Sequence, residues 1–284
     1  MEPMLDPSWA LTRPILWLAL AALVALLVLR TVRKDRKEYQ RFKRYRTTVK
    51  RQAMFRRWLL DSFLSFGGVS VALLLLAGGY IVPLLRELVE WPGLRDIRAL
   101  AADNPGITVG VILGLVIGLT ALTIAGVRAA RKEDEVLTVG DIKAMLPRNR
   151  QELRLGALLS LNAGVVEELT FRLALPAAIY GASGSALAAV LGSVLLFGAL
   201  HLYQGPAGVI GTTVVGAIMM ALYVISGTIV VPIVLHAVFD LRSLVLIPVA
   251  IYRVHRVNGR EQPLIRKLEV PADVPAEPPA QASS

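Results

Sequence analysis

The stretch "VVEELTFRLAL", residues 165–175, places three charged side chains inside a run that otherwise has the character of a membrane-embedded helix. A charge near the centre of a spanning helix costs about 2.5 to 3.5 kcal/mol on insertion scales. Such side chains therefore turn away from lipid, toward one another, toward water or toward neighbouring helices. The stretch predicts a helix in a bundle, with Glu167, Glu168 and Arg172 facing the bundle interior.

The composition indicates a protein that crosses the membrane several times. The chain has 284 residues, 55% of them hydrophobic, and a formal charge of +10. Runs long enough to cross about 30 Å of hydrocarbon cover residues 14–29, 58–85, 106–127, 155–180, 185–203, 206–226 and 228–252. The expected fold class is all-α, a polytopic bundle of about seven transmembrane helices. The chain contains no cysteine, which excludes disulfides and thiolate metal sites.

The positive charge is concentrated between the first two apolar runs. Residues 30–57 contain 13 Lys or Arg side chains and two acidic ones, Asp35 and Glu38. The positive-inside rule and attraction to anionic lipid headgroups both explain a basic segment at this place, so nucleic acid is not an expected partner. The alternation of basic and acidic connections predicts the N-terminus outside and the C-terminus in the cytosol. We expect the plasma membrane of a bacterium.

These patterns divide the chain into four regions. Residues 1–57 are expected to form a signal-anchor helix and a basic cytosolic loop, and residues 58–154 two further membrane helices with a cytosolic loop. Residues 155–252 are expected to form a helix core that carries the polar side chains, and residues 253–284, rich in Pro and Ala, are expected to form a disordered cytosolic tail. Gly110, Gly114 and Gly118 lie on one helix face, which predicts close packing within the protein, with association between copies as the alternative.

Three predicted helices carry polar groups at helical spacing. Glu168 and Arg172 are four residues apart in the order that favours an ion pair, which leaves Glu167 without that partner. His236 and Asp240 repeat the spacing of one turn, and Phe197 lies one turn before His201. A bundle can bring these faces to one point. The residues concerned are Glu167, Glu168, Arg172, Phe197, His201, His236 and Asp240.

Such a cluster allows three chemistries, beside a polar network that only fixes the helix packing. Glu167 can act as a general base, with His201 holding the attacking water. The two histidines and a carboxylate can instead bind zinc and generate hydroxide. A proton-coupled transporter could titrate the same groups in turn, but it should contain repeated helical halves, and the sequence has no inverted repeat. A non-catalytic scaffold would tolerate loss of both histidines. Arg242 is expected to contact lipid or a loop.

Three motifs resemble those of a known family. "EELTFR" (167–172), "FGALH" (197–201) and "HAVFD" (236–240) are similar to the EExxxR, FxxxH and HxxxN/D motifs of CPBP intramembrane proteases. This family includes the type II CAAX prenyl endopeptidases and bacteriocin-processing and immunity (Abi) members, and the likeness covers residues 155–252. It implies that Glu167 and His201 activate water and that Glu168 pairs with Arg172. It also implies that His236 and Asp240 stabilise the oxyanion.

One position departs from the prenyl endopeptidases, which have Asn where this chain has Asp240. An Asp side chain donates a hydrogen bond only when protonated, and it is a better metal ligand than Asn. The cofactor therefore stays open between zinc and none, with Glu167, His201, His236 and Asp240 as the candidate ligands. The resemblance implies a membrane-associated peptide or protein as substrate, in the prenyl enzymes a lipidated one.

Overall fold

The computed structural model describes residues 9–133 and 140–258, which form a bundle of α-helices without strands. The predicted all-α fold is thereby confirmed. Most of the predicted C-terminal tail lies outside the described residues. The helical segments of the described residues are α1 (Thr12–Phe42), α2 (Thr48–Val89), α3 (Leu94–Asp103), α4 (Pro105–Glu133), α5 (Arg150–Glu168, Leu169–Ala174 and Leu175–Ser183), α6 (Ala186–Leu200), α7 (Leu202–Ser226) and α8 (Val230–Tyr252).

Five of these helices are long and apolar enough to cross a membrane, which confirms a polytopic membrane protein. They are α1, α2, the Val109–Arg128 part of α4, α7 and α8. The predicted span at 155–180 lies within α5, whose apolar run is interrupted by charges, and the span at 185–203 forms the 15-residue helix α6. The count of seven spans and the orientation stay predictions.

The basic segment is helical, where the sequence indicated a loop. α1 continues to Phe42 and α2 begins at Thr48, so the expected domain boundary after residue 57 falls inside α2. Tyr39 and Phe42 from α1 pack against Met54 and Phe55 from α2 in a buried cluster. Apolar side chains three or four residues apart give each helix an inward face, which leaves most of the Lys and Arg side chains outside. We call residues 30–57 the basic hairpin.

A buried ion pair joins the basic hairpin to the start of α5. Arg51 Nε lies 3.1 Å from Glu152 Oε2, and the two side chains are 1% and 0% exposed. The other Arg51 nitrogens donate to the carbonyl oxygens of Ala144 and Leu146, at 3.0 and 3.1 Å. The Glu152 carboxylate also accepts hydrogen bonds from the Thr48 hydroxyl, the Asn149 amide and the Arg148 backbone N–H. This Arg51–Glu152 clamp fixes the first turn of α5 beside the basic hairpin.

α5 packs against α1, α2, α6, α7 and α8. Its residues from Phe171 to Ala182 share a buried apolar cluster with α1, α2 and α6. On another face, a Cβ added to Gly164 would lie 2.9 Å from the Ala237 Cβ, closer than two such carbons normally approach. Gly164 thus allows α8 to lie directly against α5, which brings His236 beside Glu168.

Helix α4 corrects two expectations. Within the described residues, no heavy atom lies within 4 Å of a Cβ built at Gly110, Gly114 or Gly118. The predicted internal packing of this glycine stripe is therefore wrong there, while association between copies stays a prediction. Arg242, expected to meet lipid or a loop, instead donates a hydrogen bond from Nε to the Thr123 hydroxyl of α4.

Candidate active site

The centre of the polar cluster is a buried ion pair within α5. Arg172 Nε lies 2.9 Å from Glu168 Oε2, so the pair predicted from the spacing is confirmed, and its side chains are 1% and 0% exposed. The guanidinium carbon is 4.7 Å from the centre of the Phe197 ring, a distance typical of a cation–π contact. α6 and α7 thus meet α5 here, because Arg172 Nη2 also donates to the Gly216 carbonyl oxygen at 3.4 Å.

His236 of α8 also contacts the buried Glu168–Arg172 pair. Its Nδ1 donates a hydrogen bond to Glu168 Oε1 at 2.6 Å, so one carboxylate bridges a guanidinium and an imidazole. Sequence spacing assigned Glu168 to Arg172 alone. The second bond joins residues 68 positions apart and depends on how α8 packs against α5, which no local pattern states.

Glu167 lies at the open side of the cluster. Its side chain is half-buried, and it makes no hydrogen bond or ion pair with any residue the structure describes. The charges that act on it belong to His236, Asp240, Glu168 and Arg172. Because the Glu167 carboxylate has no hydrogen-bond partner among the described residues, it can accept a proton from a molecule that binds beside it.

Asp240 is the second open carboxylate. Its Oδ2 lies 3.7 Å from His236 Nε2, beyond hydrogen-bond distance, and its side chain is 31% exposed. His236 therefore lies between a buried carboxylate at Nδ1 and an open one near Nε2.

His201 has a defined tautomer through its backbone contact. Its Nδ1 donates to the Phe197 carbonyl oxygen at 2.8 Å, one turn earlier in α6. The neutral ring then carries a lone pair on Nε2, which can accept a hydrogen bond from water. The Phe197 ring lies 4.9 Å from the imidazole and holds its orientation.

Tyr203 is a neighbour of the site that the motifs do not include. Its ring centre lies 6.0 Å from that of His201 at an interplanar angle of 31°. The only sequence signal is its place two residues after His201, in "HLYQGP". All seven predicted site residues lie in one cluster with Tyr203, and their roles stay predictions.

The same geometry can be compared with the needs of a metal ion. Among the residues of ranges 9–133 and 140–258, no three His, Asp or Glu side chains are grouped so that they could hold one ion. The Nδ1 atoms of His201 and His236 are engaged by the Phe197 carbonyl and by Glu168. Both Nε2 atoms are left, and a histidine that binds zinc through Nε2 commonly donates its Nδ1–H to a carboxylate or a carbonyl oxygen, so the choice between zinc and no metal stays open.

Comparison with known proteins identifies one part of the chain. Residues 149–242 match the family model described as type II CAAX prenyl endopeptidase Rce1-like. The match covers about a third of the chain, from the N-cap of α5 to Arg242 in the middle of α8, and includes every predicted site residue. No curated protein and no solved structure matches the chain.

Proposed function

Because residues 149–242 belong to the CPBP family of CAAX-type intramembrane proteases, we propose that this protein is a membrane endopeptidase in which Glu167 and His201 activate water. Its substrate would be a membrane-associated or membrane-proximal peptide or protein. One observation carries the proposal. Glu167 is open and without a hydrogen-bond partner among the described residues, directly beside a Glu168 whose two oxygens contact Arg172 and His236.

Glu167 is the general base in this mechanism. A water held between its carboxylate and His201 Nε2 donates one hydrogen to each. Glu167 takes its proton as the water oxygen attacks the peptide carbonyl carbon, and a tetrahedral intermediate forms. Glu167 then gives the proton to the departing amine nitrogen as the C–N bond breaks. The His201 tautomer supports this role, because Nδ1 donates to the Phe197 carbonyl and Nε2 is left as the acceptor.

His236 stabilises the charge that develops on the substrate oxygen. Its Nδ1–H donates to Glu168, and a proton on Nε2 gives a donor toward the oxyanion. Glu168 orients the ring and favours its charged form, while Asp240 lies 3.7 Å from Nε2 and adds to that effect. Arg172 and Phe197 hold Glu168 in place and have no contact with the reacting atoms in this scheme.

The basic hairpin supports a location at an anionic membrane surface. Seven of its exposed basic side chains make no hydrogen bond or ion pair with the described residues; they are Arg33, Arg36, Lys37, Arg41, Arg46, Lys50 and Arg56. Lys and Arg near a membrane surface gain about 1 kcal/mol each from anionic lipids. This favours a bacterial plasma membrane, where a peptide or a bacteriocin-like precursor is a better expected substrate than a prenylated protein.

Comparison of membrane peptides tests the proposal. Cells that produce the wild type, Glu167→Gln or Glu90→Gln are analysed by proteomics of the membrane fraction. Glu90 is an exposed carboxylate without a side-chain contact among the described residues and serves as the matched control. Cleavage products should be present with the wild type and Glu90→Gln and absent with Glu167→Gln. Identical products in all three strains would reject the endopeptidase.

Metal analysis tests the zinc alternative separately. The purified protein, assayed for cleavage before and after treatment with a zinc chelator, should keep its rate within about twofold. A stoichiometric metal whose removal and return abolish and restore cleavage would favour the hydroxide mechanism.

A further inference from the structure

The ring of Tyr203 has two aromatic neighbours, one in the site and one in the basic hairpin. It lies in the short turn Leu202–Gln204 that joins α6 to the rest of α7. One neighbour is His201, whose ring centre is 6.0 Å away, and the other is Tyr39 of the basic hairpin, which meets it edge to face at 5.5 Å. The Tyr39 hydroxyl in turn donates to the Asp141 carbonyl oxygen. A residue from outside the matched segment therefore fixes a ring beside His201.

The hydroxyl oxygen of Tyr203 accepts one hydrogen bond, and its O–H group donates none to the described residues. It accepts a bond of 3.0 Å from the Gln204 side-chain amide, and no described residue accepts from its own O–H. The Tyr203 side chain is half-buried like those of Glu167 and Asp240, and its ring lies beside that of His201. The O–H group is therefore available to a substrate that binds next to His201.

The proposed reaction needs a donor that Asp240 does not supply. An ionised carboxylate only accepts hydrogen bonds, so it cannot stabilise a negative oxygen directly. His236 Nε2 gives one donor, and sites of this type commonly use two. A phenol is neutral, keeps its proton at neutral pH and presents it without a change of charge.

We propose that Tyr203 is a further catalytic residue, whose hydroxyl donates a hydrogen bond to the substrate oxygen as its negative charge develops. This inference rests on the proposed endopeptidase function. Gln204 orients the hydroxyl through its bond to the phenol oxygen, and Tyr39 fixes the plane of the ring.

Replacement of the hydroxyl alone tests this role. Tyr203→Phe keeps the ring against His201 and removes only the donor. Tyr223→Phe, a buried tyrosine farther along α7, is the matched control. The measured quantity is the rate at which the membrane peptides that depend on Glu167 appear after induction of each variant. Loss of one oxyanion donor lowers turnover by about 100- to 1,000-fold, so Tyr203→Phe should lower the rate by about 100-fold and Tyr223→Phe by less than about twofold.

The outcomes separate the two proposals. A wild-type rate for Tyr203→Phe, with no products from Glu167→Gln, overturns the role of Tyr203 and leaves the endopeptidase standing. Products that persist with Glu167→Gln overturn both. Membrane levels and thermal unfolding of purified Tyr203→Phe should equal those of the wild type. If they fall, Gln204→Leu, which keeps the tyrosine, decides: an intermediate loss of rate, about tenfold, is expected, and an unchanged rate overturns the inference.

Discussion

Two Glu–Arg pairs are fully buried in the part of the chain that the structure describes, and they differ in how many of their polar atoms have hydrogen-bond partners. In the Arg51–Glu152 clamp, all three guanidinium nitrogens have acceptors and both carboxylate oxygens have several donors. In the Glu168–Arg172 pair, Arg172 Nε and Glu168 Oε2 meet as an ion pair at 2.9 Å, but neither these two atoms nor Arg172 Nη1 has a hydrogen-bond partner among the described residues, and Nη2 has only the long bond to Gly216. Every polar side-chain atom of the first pair has a hydrogen-bond partner, whereas the carboxylate of the second pair also bonds to a histidine.

This difference indicates what each pair is for. A buried charge network that is fully satisfied holds helices in one arrangement, and nothing in it is left to react. The Glu168–Arg172 pair lies next to the open Glu167 and bonds to His236, so its charge acts on groups that can meet substrate. Burial of a charge therefore does not by itself distinguish a structural ion pair from a catalytic one. The distinguishing feature is a half-buried carboxylate without a hydrogen-bond partner among the described residues, here Glu167, next to the buried pair.

The largest expected effect breaks the clamp. Glu152→Ala leaves Arg51 buried without its carboxylate, and removal of one partner of a buried pair costs about 3 to 5 kcal/mol. We expect a strongly lowered thermal unfolding temperature in detergent and little protein in the membrane. Asp61→Ala, which removes a half-exposed partner of Lys34, is the control. Near wild-type stability of Glu152→Ala would show that the clamp does not hold α5.

A smaller change in stability, joined to a loss of activity, is expected at the second pair. Glu168→Gln leaves the buried Arg172 without a countercharge, but it keeps an oxygen for His236 and stays close in shape, so its cost should be about 3 kcal/mol, the lower end for a broken buried pair. Cleavage should fall by about 10- to 100-fold, because His236 loses the charge that favours its imidazolium. Both quantities are measured on the same purified preparation. A loss of stability with full activity would make this pair equivalent to the clamp.

The sequence predicts the apolar helices and the Glu168–Arg172 pair, but it does not predict the contacts between residues that are distant in the chain. Hydropathy locates the apolar helices, and the four-residue spacing predicts the Glu168–Arg172 pair, because both signals are local. The clamp escapes prediction because Arg51 and Glu152 are 101 residues apart and Arg51 belongs to a segment whose charge indicates lipid headgroups. The bond from His236 to Glu168 and the contact of Tyr39 with Tyr203 likewise depend on helix packing.

The smallest expected effect is at the surface. Lys34 and Asp61 form an ion pair of 2.5 Å whose side chains are 34% and 28% exposed. Exposed pairs contribute about 0 to 1 kcal/mol, since water and salt screen them. Lys34→Ala should therefore change the unfolding temperature by only a few degrees and leave cleavage intact. A cost as large as that of Glu152→Ala would mean that exposure does not separate the pairs.

The separation of structure from catalysis is tested most directly at Glu167. Wild type and Glu167→Gln, purified and reconstituted in the same liposomes, are compared for cleavage of synthetic copies of the peptides found in the membrane comparison. We predict a rate at least about 100-fold lower for Glu167→Gln, as expected for loss of a general base, with an unchanged unfolding temperature. An undiminished rate would contradict the assignment of Glu167 as the base.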